Sequence, residues 1–332
     1  MKFVAINLLL LVSFDAGAHH AVTVAYDTNN LTAIEGEVTN VFWQNPHIVV
    51  TIERTLADGS VEEWRAESGS TNSLERVGIG RDIISIGDTI SLYGAPSRRG
   101  MTTMAAYTMT LASGREVPLW PQRAVQLGRT IEQAPISEAA ADAGERAADG
   151  IFRIWSRVGR SLQLDVSYTP EAVAAREGWD PLADDPALQC IPPGMPGMMN
   201  NPYPIEFVDE GDRILLRLEE WDGLRTIHMS DAAPDAQEAS GVGYSTGQWE
   251  GNTLVVTTTN IDEPFFDDLG TPQGPAVRLV ERFVLSDTQD RLDYRVTVTD
   301  ASTFVEPATL TGHWIWNPGE EIKPFQCALP DA

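Results

Sequence analysis

The chain has 332 residues and a formal net charge of −25. So acidic a surface repels phosphate backbones and anionic lipid heads, which argues against nucleic acid as a partner. Its apolar content of 42% is ordinary for a globular protein, and the length suffices for two cores.

Residues 1–18 read as a signal peptide. Lys2 supplies the positive start, an apolar run from Phe3 to Phe14 the core, and Ala16-Gly17-Ala18 the small-residue cleavage signature. The run is too short to anchor in a bilayer, and no later segment is long enough for membrane insertion. Cleavage after Ala18 makes His19 the first mature residue and directs the product to the periplasm or the medium. Lys323 is then the last lysine left.

Residues 19–133 carry 13 acids against 9 bases and read as short strands. The expected strands are 32–43, 48–52, 61–66, 88–93 and 103–111. Asn45-Pro46 interrupts the first pair and Asp58-Gly59 marks a hairpin. A short helix is expected over 72–77, capped by Ser70 or Thr71. Five strands, with the helix between the third and fourth, predict a Greek-key barrel of OB type.

Residues 134–149 are Ala-rich, charged and free of aromatics, and read as a linker, helical in part. Residues 150–332 form the second unit. Thr169 caps a helix opened by Pro170. A loop rich in Pro and Met follows, with Met195, Met198 and Met199 read as packing side chains. Strands at meander spacing then run to residue 316 and must close to hide their edges. This predicts a calycin-like (lipocalin-like) antiparallel barrel.

Cys190 and Cys327 are the two cysteines, and an even count in an oxidising compartment predicts a disulfide. Such a bridge would tie the tail to the second barrel.

The motifs Ala18-His19-His20, Trp43-Gln44-Asn45-Pro46-His47, Trp64-Arg65-Ala66-Glu67 and Ser70-Thr71-Asn72-Ser73-Leu74 resemble those of a bacterial family of uncharacterised exported proteins, over residues 18–117. The second half is similar to another uncharacterised exported group through Cys190-Ile191-Pro192-Pro193-Gly194, Gly247-Gln248-Trp249-Glu250-Gly251-Asn252 and Glu281-Arg282-Phe283. Neither resemblance implies an activity, cofactor or substrate.

Two constellations carry chemistry. His19, His20 and His47 offer a terminal amine and imidazoles, a nitrogen set suited to copper. The alternative for His47 is a hydrogen-bonded turn. In the second unit Arg225, His228, Glu281, Arg282, Tyr294 and His313 lie on expected strands and are candidates to face a ligand cavity. The alternative is a structural ion pair such as Glu281 with Arg225. No nucleophile elbow or metalloprotease helix is present. The leading expectation is an exported, non-catalytic protein that binds a small ligand or metal. A barrel enzyme acting on a small apolar substrate and an envelope assembly module that meets a protein partner are the alternatives.

Overall fold

The computed structural model describes residues 22–157, 162–229 and 238–329. Residues 1–18, read above as a signal peptide, and His19 and His20 lie outside them. A short helix, α1 (Val22–Ala25), opens the described chain.

Five strands follow: β1 (Thr32–Phe42), β2 (Val49–Thr55), β3 (Val61–Glu67), β4 (Thr89–Pro96) and β5 (Thr103–Leu111). They close in the ring order β1-β2-β3-β5-β4. All pairs are antiparallel except β3 with β5. Helix α2 (Thr71–Glu75) lies between the third and fourth strands, as expected for an OB barrel. Its cap is Ser70, whose hydroxyl accepts from Ser73 N, one of the amides a helix start leaves orphaned. Alternation turns Ile34, Val38, Val50, Ile52, Ile90 and Leu92 inward, where all are buried. The ring needs a bulge at Tyr93/Gly94, where a side chain on Gly94 would collide with Ala105 O. Strand β6 (Glu116–Pro118) extends this sheet from β5, and α3 (Pro121–Gln126) follows.

Helix α4 (Glu138–Ala147) occupies most of the segment read as a linker and is capped by Ser137. Its Gly144 packs against Pro318 and Gly319, so close that a side chain would clash with the Gly319 nitrogen.

The second sheet contains β7 (Ile154–Arg157), β8 (Gln163–Asp165), β9 (Ile205–Asp209), β10 (Arg213–Leu218), β11 (Gly223–His228), β12 (Tyr244–Glu250), β13 (Thr253–Thr259), β14 (Arg278–Leu285), β15 (Arg291–Thr299) and β16 (Ala308–Trp316). Nine of them form a closed ring, β7-β9-β10-β11-β12-β13-β14-β15-β16, and β8 pairs with β16 beyond the end of β7. Helix α5 (Pro170–Gly178), capped by Thr169, lies in the connection from β8 to β9. The barrel is antiparallel, as expected, in every pair but β11 with β12. A tight hairpin would return the chain antiparallel; the longer passage from Met229 to Gly243 lets it re-enter in the same direction. Trp155, Phe207, Phe283, Tyr294, Trp314 and aliphatic neighbours fill the interior. Among the described residues no helix is long and apolar enough to cross a membrane.

Cys190 and Cys327 are bonded, with Cα atoms 5.8 Å apart and 137 residues between them in sequence. A loop of that length corresponds to about 5 kcal/mol of stability in the chain-entropy model. Cys327→Ser is expected to lower the melting temperature by about 10 °C or more. A calorimetric shift below about 2 °C would show that the tail stays docked without the bond.

Candidate functional site

Three places gather polar side chains. The first surrounds His47, in the loop between β1 and β2. The Asn45–Pro46 peptide preceding it is cis. His47 Nδ1 lies 2.8 Å from the carbonyl oxygen of Ser68. A carbonyl only accepts, so Nδ1 carries a proton, and a neutral ring keeps its lone pair on Nε2. That is the tautomer of a metal-ligating histidine steadied by a backbone carbonyl. Nε2 faces Glu67 Oε1 at 3.5 Å. A protonated ring would make this contact an ion pair. The other Glu67 oxygen accepts from the Tyr26 hydroxyl at 3.2 Å. Burial and the Glu67 charge push the Tyr26 hydroxyl well above its ordinary pKa, so it stays a donor.

Trp120 connects this site to the beginning of the described chain. Its ring centre lies 5.4 Å from that of His47. Trp120 also packs with Val22, Ala25, Tyr26, Ala95, Ala105 and Tyr107 in one apolar cluster. Val22, three residues beyond His19 in sequence, therefore belongs to the cluster whose Trp120 lies beside His47. Among the described residues no three His, Cys, Asp or Glu side chains converge on a metal-sized space. Any such site must draw ligands from beyond them.

The second place lies between the barrels. Asn45 is buried and accepts from both the amide and the hydroxyl of Thr71, at 2.9 and 2.8 Å. Its side-chain nitrogen donates to Asn72 Oδ1 and to the carbonyl of Phe325. Glu219, buried at the end of β10, accepts two bonds of 2.6 Å from Arg76, one from Asn72 and one from the Lys323 amide. Asp222 accepts from the Phe325 amide, whose side chain packs between Tyr203 and Trp221. The tail is thus gripped by both barrels. Beside it lies a cleft of about 400 Å³ lined by Trp43, Gln44, Glu75, Glu321, Lys323 and Gln326. The pairing of these clamp residues carries no sequence signal, because every contact spans a long stretch of chain.

The third place is inside the second barrel. Of the six residues expected to face a cavity, Arg225, Glu281 and Tyr294 are brought together. Both side chains of the Arg225–Glu281 pair are fully buried. Arg225 meets Glu281 through both Nη atoms, and also donates to Ser245 and Thr258 at 2.9 and 2.7 Å. The Tyr294 hydroxyl donates to Glu281 at 2.9 Å. Burial first, then the Glu281 charge, drives the Tyr294 pKa far up, so it remains a donor. The acid and the base consume each other, as the structural alternative supposed.

The expectation for the other three needs correction. His228, Arg282 and His313 sit one position from the inward residues Ile227, Glu281 and Trp314, and alternation points them outward. His228 stacks on Tyr244 with ring centres 4.7 Å apart, and Arg282 pairs with exposed Glu250 at 2.8 Å. Met195, Met198 and Met199 are buried core residues.

One further inward group went unnoticed in the sequence. Arg157 lies over the Trp314 ring at 4.4 Å. Burial draws its pKa down to about 10, which leaves it charged at neutral pH.

A family of unknown function, DUF6152, matches residues 8–106. The match ends inside β5 and includes the His47 loop, Glu67 and α2, so this part of the chain is similar to that family. No curated protein matches the chain.

Arg225→Met is expected to destabilise the protein by about 3–5 kcal/mol, because it strands a buried carboxylate. The double variant Arg225→Met/Glu281→Leu should recover most of that loss. Equal losses in denaturant melts of the two proteins would show that the pair does more than neutralise itself.

Proposed function

We propose that this is an exported, non-catalytic binding protein that holds Cu(II) at its mature N-terminus. The ligands are the α-amine and imidazole of His19, assisted by His20, and Nε2 of His47. The observation that carries this reading is the placement of Trp120, which lies beside the His47 ring and belongs to the apolar cluster that includes Val22 and Ala25 of α1. Three residues of chain reach about 10 Å, so the reading requires His47 to lie within that span of Val22. The Ser68 carbonyl supplies the supporting hydrogen bond that orients the ring. Glu67 balances part of the ion's charge, steadied by Tyr26. The disulfide agrees with an oxidising compartment, where copper is met. The non-catalytic part of the reading rests on the closed Arg225–Glu281 pair, which leaves neither group open to a substrate.

Processed protein, its first residue verified by intact mass, should bind one Cu(II) with an electron paramagnetic resonance spectrum of nitrogen ligation. His47→Ala, and a variant bearing one extra residue before His19, should each weaken binding about 100-fold, roughly two decades of lost chelation. The extra residue separates the amine from the His19 imidazole and leaves every side chain in place. Equal affinity in the three proteins would leave His47 as a turn residue and end the copper reading.

A further inference from the structure

We infer that the cleft between the barrels takes a neutral oligosaccharide, one ring of which stacks on Trp43. The inference is independent of the copper reading and uses none of its histidines. The cleft has a volume of about 400 Å³, within the range of small-molecule sites. Its walls come from three parts of the chain. Trp43 and Gln44 begin the loop between β1 and β2, Glu75 ends α2, and residues 321–326 belong to the tail. These walls are fixed before any ligand arrives. Asn45 accepts from Thr71 and donates to Asn72 and to the Phe325 carbonyl. Glu219 and Asp222 hold the Lys323 and Phe325 amides from the side of the second barrel. A site already ordered avoids much of the entropy loss of binding. Gln326 carries a second mark of a held site. Its φ is +45°, a left-handed conformation that residues other than glycine seldom adopt. Its amide donates to Asp222 and the next residue is Cys327 of the disulfide, so it is constrained from both sides. Strain of this kind gathers at ligand clamps.

The chemistry of the lining defines the ligand. Trp43 is half-buried: it backs onto the core of the first barrel and also lines the cleft. An aromatic surface of this kind suits a ring with an apolar face. Around it the lining is polar. Gln44 and Gln326 are exposed, and their side-chain amides make no hydrogen bond among the described residues. An amide both donates and accepts, as a sugar hydroxyl does. A purely apolar ligand would leave such groups unmatched. Glu75 pairs with Lys323 at 2.9 Å and Glu321 adds a second carboxylate, so two acids and one base leave one net negative charge on the lining. Together with the overall charge of −25 this disfavours an anion. OB barrels take oligonucleotides and oligosaccharides at the loop between their first two strands. The charge removes the nucleotides and the acidic sugars from that set and leaves neutral saccharides. An extended peptide would add to a free strand edge, and no residue lining this cleft lies in a strand.

The test is calorimetric titration of the purified, disulfide-bonded protein in metal-free buffer, so that its outcome does not depend on copper. The probes are three neutral trisaccharides: cellotriose, maltotriose and triacetylchitotriose. At least one should bind with Kd below about 1 mM. A galacturonic acid trimer and a thymidine hexanucleotide should each bind at least about 10-fold more weakly, because their charges meet a field of the same sign. Trp43→Ala should weaken the bound sugar about 10-fold, the loss of a stacked ring. Gln44→Ala and Gln326→Ala change exposed side chains and should each weaken it about 2- to 10-fold, the loss of hydrogen bonds. In nitrogen-15 spectra of the unmutated protein the Trp43 indole signal should shift on titration, a readout that stands even where Trp43→Ala fails to fold. The proposal is overturned by Kd values above about 1 mM for all three sugars, or by sugar binding that leaves the Trp43 signal unmoved. Full affinity in both glutamine variants would overturn it too. So would equal or tighter binding of the acidic trimer or the nucleotide, which would give the cleft to an anion.

Discussion

The carboxylate of Glu219 is the constraint on which the arrangement of this molecule depends. It is fully buried at the end of β10, between the two barrels. A carboxylate stranded there would cost several kcal/mol. It is held by the fork of Arg76 from the first barrel, by Asn72 from the same short helix and by the Lys323 amide from the tail. Three segments distant in sequence therefore share one charge. Helix α2 is placed by its OB barrel, so Arg76 and Asn72 are placed with it, and they fix where the second barrel sits. Removing any one partner leaves the others facing an unmatched charge, so the junction is cooperative rather than a sum of contacts.

Asn45-Pro46-His47 has two duties that point in opposite directions. Asn45 turns toward the second barrel and takes the tail, while His47 turns toward Ser68, Glu67 and Trp120. In OB barrels the loop between the first two strands commonly carries ligands. Here one side of that loop is occupied by the chain's own C-terminal segment, and the other remains for His47. Because Cys327 is bonded to Cys190 and pairs with Asn45, the disulfide restrains this loop as well as the tail. Stability of the junction and geometry of the His47 site are thereby linked through one residue, Asn45.

How much of this could be read from the sequence depends on the range of the interaction. Local signals were legible. Ser70 and Thr169 mark helix starts, Asp58-Gly59 a hairpin, and the strand and helix order an OB barrel. The cysteine pair was legible because only one pairing exists. Strand parity was the weak point. Glu281 and Arg282 are consecutive on β14 and cannot both face inward, and the apolar residues Leu279 and Phe283 show which one does. The same alternation rule would have excluded His228, beside Ile227, and His313, beside Trp314. Arg157 gave no signal, because only the packed barrel shows it stacked on Trp314. The Glu219 junction was invisible for the opposite reason: its partners lie 143 and 104 positions away in the chain.

The net charge of −25 bears on the proposed metal. A field of that sign raises the local concentration of cations around the surface. The His47 region lies partly at the surface, so Cu(II) gains from the long-range field as well as from its ligands. Salt screens the far field more than it screens contacts in a partly buried site. Added salt should therefore weaken capture of the metal. An affinity that does not change with salt would assign the binding to the ligands alone.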